Sequence, residues 1–478
     1  MKRRLVKVSA LLIAAVLLGG CGANTENTAA EDLTADSQQT KQESSENQVI
    51  SEEKTKDTGS TEDLEMNKSG LIEETVLYEE DGLKITASEI EYTSRSAELT
   101  LEIENNSEKD LRVTSSTIGY SCNAVNGYMV SDGYISSDIS AGKKATETAK
   151  FSYEDLFVYG ITEIADIEMG FTISDDDYNY IYTEPAKIET SLAATHDYDT
   201  DTYPQGIFRL FKMEGYDYQL VYEGNDCLYD QGGIRMLSHL VISNYDGHMI
   251  LLMEFENDND KMLYVGAENI SINGLRVTSG TWTSEAINGK HKGLLTLDIG
   301  DVLDKDSCDI FGIKEIREIG MDITVNKHDG TEMELPVHVS VKLADGAAFD
   351  PSGDEIYNAN GIRLVNMGSY QEEDDYTPNI HIFMVAENEG SEEITIDDEY
   401  NSFSVNDCMT GCYFYSRTLA PGEIVLMNIE IPYYNFDDAK IESLEDITKA
   451  EITLEIKNKN YKTIDEPVIT FELDSKTE

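Results

Sequence analysis

The chain has 478 residues, with 36 Lys and Arg against 93 Asp and Glu, for a formal net charge of −57. An excess of this sign repels polyanions and anionic lipid and excludes non-specific nucleic-acid binding, leaving solubility, cationic partners or divalent ions as its uses. No Cys/His cluster has zinc-site spacing.

The first segment is basic, with Lys2, Arg3, Arg4 and Lys7, and is followed by an uncharged run from Val8 to Gly20. A basic start, a short apolar run and small residues before a cleavage point predict a secretory signal over residues 1–20. The run is too short to span a bilayer, which needs about 20 residues. Leu18-Gly19-Gly20-Cys21 resembles the lipobox of bacterial lipoproteins, in which the Cys is lipidated and becomes the new N-terminus. The resemblance implies lipidation at Cys21, a membrane partner through that anchor, and a place on the extracytoplasmic face of the cell membrane. The competing reading is an ordinary secretory signal with a chance Cys.

Residues 21–70, the anchor Cys and an acidic linker, read as a disordered tether. From Gly22 to Gly70 there is no Phe, Tyr or Trp, and twelve acids stand against four lysines. Such a segment cannot bury enough apolar surface to offset its ordering entropy.

Beyond Leu71 the chain repeats. Leu77-Tyr78 precedes Gly82, Leu228-Tyr229 precedes Gly233, and Ile356-Tyr357 precedes Gly361, with the same Tyr-to-Gly spacing each time. Glu104-Asn105, Glu256-Asn257 and Glu387-Asn388 then close apolar runs. Asn126-Gly127, Asn273-Gly274 and Asn406-Asp407 follow, with a Gly at a fixed distance beyond each (Gly142, Gly289, Gly422). Last come Ile161–Ile164, Ile313–Ile316 and Leu444–Ile447, each with an acid in third place. Five markers in one order, three times over, predict a triplicated module over 71–193, 203–347 and 350–478. Units of this length are domain-sized, which predicts beads on a string that each fold alone.

Within a unit the period is two. Leu99, Leu101 and Ile103 alternate with Thr100, Glu102 and Glu104, as do Ile452, Leu454 and Ile456 with their polar neighbours. Asn and Gly turns punctuate the runs, and Ser152–Gly160 reads as a short helical turn. About seven short strands per unit predict an all-β fold of tandem antiparallel Ig-like β-sandwich domains. The quoted marker residues of repeat 1, with Asn126–Val130 and Ala141–Lys144, resemble uncharacterised Ig-like modules in lipoproteins of Gram-positive, clostridia-type bacteria. That resemblance implies a cell-surface location and a sandwich fold, and it brings no catalytic residues with it. Repeat 3 departs from it with Asp407 in place of the turn Gly.

Candidate chemistry is sparse. There is no Gly-x-Ser-x-Gly elbow, His-Glu-x-x-His pair or phosphate-binding loop, and the seven His do not repeat between modules. No enzymatic activity is expected, and hydrolysis is the third choice. Asp197, Asp199 and Asp201 offer three hard oxygen ligands on alternate residues, so calcium is the one cofactor considered against an expectation of none; Phe208 stands where an EF-hand has its twelfth-position acid. Tyr203, Phe208, Phe211, Tyr216, Tyr218 and Tyr222 gather in an insertion absent from repeat 3. Packing between repeats 1 and 2, or strands added to repeat 2, is the favoured reading of these rings, and an exposed face for protein or glycan the alternative. Cys122, Cys227, Cys308, Cys408 and Cys412 are read mainly as buried free thiols, with Cys408–Cys412 as a possible pair. The function expected is non-enzymatic binding or adhesion to a protein or glycan, with no nucleic-acid partner; the alternative is a structural envelope component that scaffolds partner proteins.

Overall fold

The computed structural model describes residues 64–115, 123–203, 206–207, 218–244, 248–277, 283–299, 308, 310–327, 330–333, 335–372 and 378–473. The signal, Cys21 and residues 22–63 of the tether lie outside the described residues, as do Cys122, Phe208, Phe211 and Tyr216. Of the described residues 55% are in strands and 7% in helices, which makes the fold all-β, and each marker-defined unit is an antiparallel Ig-like β-sandwich.

In repeat 1 the strand Thr75–Glu80 pairs with Leu83–Tyr92, that with Ser96–Asn105, and that with Lys143–Ser152. The facing layer is built on Leu111–Ser115 and Ala124–Val125, paired with Phe171–Asp175 and Asp166–Met169. Repeat 2 lays out Ile234–Ser243, Met249–Asn257 and Lys292–Asp298 against Leu263–Ile272 and Glu318–Asn326 in the same way. Repeat 3 does so with Ile362–Gln371, Ile380–Asn388 and Ile424–Ile431 against Ile394–Asp398 and Lys449–Asn458.

The markers are the fixed points of this plan. Asp81-Gly82, Gly232-Gly233 and Asn360-Gly361 all hold positive φ at both residues, the geometry of the tight two-residue hairpin turn that suits the twist of its strands. Asn105, Asn257 and Asn388 are buried at the ends of their strands. Their amides donate to Lys109 and Ile139, to Lys261 and Ile287, and to Glu392 and Leu419 carbonyls at 2.8–3.0 Å. Their side-chain oxygens accept from the N–H of Ser107, Asn259 and Gly390 at 3.0 Å. Each therefore holds the loop that leaves the first sheet against the far end of the second.

The second Asn set closes another link. Asn126, Asn273 and Asn406 donate to the carbonyls of Glu163, Glu315 and Asp446, at 2.9, 2.9 and 2.7 Å. Those are the third residues of the last marker, so two markers far apart in sequence describe one contact. Asn406 and Asp407 keep φ of 47° and 62°, so Asp407 holds the left-handed turn that Gly127 and Gly274 hold elsewhere.

Two expectations are corrected. The tether ends before residue 70: Leu64 and Met66 are buried in the first core, the Asn67 N–H donates to the Thr162 carbonyl at 2.7 Å, and Lys68 Nζ donates to Thr93 at 2.8 Å. Two apolar side chains in an otherwise polar stretch suffice to dock it. The units are also not isolated beads. Tyr128–Met129 of repeat 1 runs parallel to Lys292–Asp298 of repeat 2, with Tyr128 opposite Lys292. Leu275–Arg276 of repeat 2 runs parallel to Ile424–Ile431 of repeat 3. Sheets thus continue through both junctions as nine-stranded and ten-stranded wholes. Leu240, Ile242, Ile250 and Leu252 of repeat 2 belong to the first core, and Phe383, Val385 and Leu426 of repeat 3 to the second.

Two outcomes follow from this packing. Asn257→Ala removes a donor from the carbonyls of Lys261, Ile287 and Asn288 and the acceptor from the Asn259 N–H; at about 1–3 kcal/mol for each buried unsatisfied group, it should destabilise the chain by roughly 3 kcal/mol or more, read as a lowered denaturant midpoint at unchanged m-value. The fragment 203–347 loses neighbours on both sides, and each apolar side chain returned to water forfeits about 1.5–3 kcal/mol. It should self-associate or unfold in size-exclusion chromatography and circular dichroism, and a stable, soluble monomer would contradict the shared-junction structure.

Candidate functional site

Titratable side chains converge at the junction of repeats 1 and 2. The linker turn after Thr190 brings His196 between two carboxylates: Nδ1 lies 2.8 Å from Glu163 Oε1 and Nε2 lies 2.8 Å from Asp201 Oδ2. Asn126 Nδ2 donates to the same Asp201 oxygen at 2.8 Å. Alongside, the Tyr128 hydroxyl donates to Glu254 Oε1 at 2.8 Å and Ser238 Oγ donates to Oε2 at 2.7 Å, so a carboxylate of repeat 2 is held from both repeats. His291 of repeat 2 reaches Glu168 of repeat 1 at 3.1 Å, and Tyr198 donates to Asp166, which also meets Lys187.

Burial alone would lower the pKa of His196 and His291, but the carboxylates beside each outweigh it and the shifts are upward. Asp201 is raised by burial, against the pull of Asn126 and His196, and Glu285 is pushed up to about 8 by burial. A histidine between two carboxylates is a familiar proton-transfer array, yet both ring nitrogens of His196 are engaged and its side chain is 2% exposed. The arrangement clamps the linker onto repeat 1, and Tyr128–Glu254 and Glu168–His291 extend the clamp to repeat 2.

The acids proposed for calcium do not converge. Asp201 is turned inward to His196 and Asn126, while Asp197 accepts from the Asp199 N–H at 3.2 Å and both of these residues are exposed. Among the described residues no group of three or more His, Cys, Asp or Glu is placed to hold a metal ion. Of the aromatic insertion, the described rings are Tyr203, Tyr218 and Tyr222, and they pack against the protein. Tyr203 is 0% exposed within the first core, which removes it from any ligand-facing surface. Tyr218 packs against that core and meets His248 edge-on, and Tyr222 stacks on His239 at 5.6 Å. Gln219–Gly224 joins Ile234–Ser243 as an added edge strand. Cys227 is exposed, Cys308, Cys408 and Cys412 are partly buried, and none of the four forms a disulfide.

A groove of about 420 Å³ on repeat 2 is lined by Tyr264, Glu268, Thr283, Ser284, Thr324 and Lys327. Exposed tyrosines lie on repeat 1 (Tyr134, Tyr178, Tyr180 and Tyr182) and on repeat 3, where the sequence drew no attention to them. Tyr413, Tyr415, Tyr433 and Tyr434 are exposed, as is Met409. The Tyr413 and Tyr434 hydroxyls are 2.5 Å apart, and Asn435 Nδ2 donates to the Gly411 carbonyl at 2.9 Å, which joins the patch to the strand Cys408–Met409. The runs Tyr413-Phe414-Tyr415 and Tyr433-Tyr434 were the available signal.

No family model matches the chain, and no curated protein matches it. Among solved structures it is similar to a protein of unknown function from Porphyromonas gingivalis W83, at 13% identity over 48% of this chain and 92% of that one, with TM-score 0.14. It is also similar to the BSP domain of a biofilm associated protein, at 9% identity over 87% and 84%, with TM-score 0.12. A third similarity is to an exo-β-D-glucosaminidase, at 7% identity over 83% and 78%, with TM-score 0.17. At these TM-scores the likenesses carry no argument about function.

The clamp makes stability depend on pH with a definite sign. His196 and His291 have folded-state pKa values above 6.5. Their contribution is complete below 6.5 and is lost as pH rises through the raised values. Glu163 and Glu168 are lowered from 4.5, Glu163 chiefly by its bond to His196 and Glu168 by its contacts with His291 against the opposing effect of burial. Their contribution is lost as pH falls through the depressed values. The melting temperature should therefore peak between these limits and fall toward pH 8, and His196→Gln should flatten the alkaline limb. An unchanged limb in that variant would sink this account.

Proposed function

We propose that the chain is a membrane-anchored extracytoplasmic lipoprotein that presents three Ig-like modules for non-enzymatic binding or adhesion to protein or glycan. The observation that supports binding over catalysis is where the chemistry lies. The converging titratable groups are closed inside the repeat 1–repeat 2 junction, whereas exposed Tyr413, Tyr415, Tyr433 and Tyr434 gather on repeat 3. Tyrosine supplies large contact area at low entropy cost together with a hydroxyl for polar recognition, which suits a binding face. Among the described residues no helix is long and apolar enough to cross a membrane; in this reading attachment comes through lipid on Cys21, with residues 22–63 as the spacer.

Two measurements test it. Cells fed labelled palmitate should mark the wild type and leave Cys21→Ala unlabelled; label on the Ala variant removes the anchor from the proposal. Glycan and peptide arrays probed with the chain should give specific binding that Tyr413→Ser with Tyr415→Ser weakens more than tenfold, since losing contact tyrosines of this kind costs roughly 2 kcal/mol. Turnover of an arrayed substrate would favour a hydrolase instead.

A further inference from the structure

The two-residue strand that follows the Asn turn has a different fate in the third repeat. Tyr128–Met129 and Leu275–Arg276 each lie inside a sheet, taking the preceding hairpin strand on one side and a strand of the next repeat, in parallel, on the other. In repeat 3 the same strand, Cys408–Met409, pairs with Ser404–Val405 on one side and ends its sheet. Met129 is 3% exposed and its counterpart Met409 is 58% exposed. A junction built twice within the chain thus lacks its second strand a third time, and the helix Phe436–Ala439 approaches Cys408–Met409 without pairing with it.

We propose that the Cys408–Met409 edge of repeat 3 is a docking site for a further β-sandwich, supplied by a partner protein, whose receiving sheet has an apolar outer face like those of repeats 2 and 3. This deepens the binding reading by naming the partner class for one edge, and it rests on that reading.

The edge is suited to such a partner. Cys408-Met409-Thr410-Gly411 carries no charge, so it lacks the edge lysines that natural sheets use against strand addition. The adjoining Tyr413 and Tyr434 supply apolar and hydroxyl-bearing surface. The outer face required is legible from the two filled junctions: repeat 2 offers Ile250 and Leu252, and repeat 3 offers Phe383, Val385 and Leu426.

A second copy of this chain does not fit. Its strands Lys292–Asp298 and Ile424–Ile431 are already taken at the junctions, leaving Lys143–Ser152 of repeat 1. There the positions equivalent to Ile250, Leu252 and Glu254 are Glu98, Thr100 and Glu102, and Lys144 and Lys150 pair with Glu104 and Glu98 at 2.7 and 3.2 Å. Docking would take these ion pairs and Glu102 out of water, a desolvation cost that their mutual attraction does not repay. Repeat 1 therefore presents a polar outer face rather than a receiving one.

The test gives repeat 1 the face that the proposal requires and uses the full chain as its own probe. Glu98→Ile, Thr100→Leu, Glu102→Val and Lys144→Ile together should convert a monomer into head-to-tail assemblies, at least doubling the mean mass in sedimentation velocity. Adding Met409→Lys should restore the monomer, while Tyr461→Lys, at another exposed position of repeat 3, should not. The milder pair Thr100→Leu and Lys144→Ile, checked for strand content by circular dichroism, serves if the fourfold variant misfolds. Folded variants that stay monomeric, or assemblies indifferent to Met409→Lys, overturn the proposal. Wild-type self-assembly abolished by Met409→Lys would overturn the choice of partner and assign the edge to a second copy. Array binding by the tyrosine face is read separately, so either claim can fail without the other.

Discussion

A sandwich must carry its chain from one sheet to the other, and at that crossing the backbone leaves its ladder with polar groups still buried. The chain meets this constraint with one side chain used three times. Asn105, Asn257 and Asn388 each donate to two carbonyls on opposite sides of the crossing while accepting from an N–H in the turn. An amide presents both donors and an acceptor in one plane, which neither a carboxylate nor a hydroxyl can do. Strand pairing, core filling and the turn that follows all assume this bracket is closed, which accounts for Asn recurring while the apolar residues around it vary among Ile, Leu, Phe, Met and Ala.

How much of this was legible follows from what periodicity reports. The alternation Leu99–Glu104 gives a strand with one buried face, and that is what repeat 1 has: Ala97, Leu99, Leu101 and Ile103 are fully buried, with Glu98, Glu102 and Glu104 on the other side. The markers gave the modules because turns and buried amides need particular residues. The shared junctions were missed although they left a trace. Met249-Ile250-Leu251-Leu252-Met253 and Ile380-His381-Ile382-Phe383-Met384-Val385-Ala386 do not alternate, and a continuous apolar strand is buried on both faces. The contrast between repeat 1 and its two relatives was the sign that one sheet faces water and two face a neighbour.

The site was harder to see because its chemistry depends on contacts across that junction. Asp201 was grouped with Asp197 and Asp199 by spacing alone, yet it is buried against His196 and Asn126. Tyr203 was grouped with five other rings by composition, but it fills the core next to Tyr128 and Glu254. Period and composition describe a segment, whereas the direction of a side chain in a linker is set by the module it docks against. Repeat 3 shows the converse: Tyr413 lies in a two-residue strand and Tyr433 and Tyr434 in a 3₁₀ turn, with no periodic pattern, and contact in space joins them.

The two junctions share a parallel strand pair but differ in how they fix register, and the difference has an energetic reason. Apolar faces slide, because dispersion and hydrophobic burial are non-directional. At the first junction Glu254 is buried and satisfied only when Tyr128 stands opposite it and Ser238 beside it. A shift by one residue would turn Tyr128 to the other face of its strand and leave a buried carboxylate short of a partner, a penalty of several kcal/mol. At the second junction the task falls to Arg276, which donates to the Thr418 carbonyl and lies 3.4 Å from Glu423. Polar groups at both seams thus select one docking among the many that the apolar faces would allow.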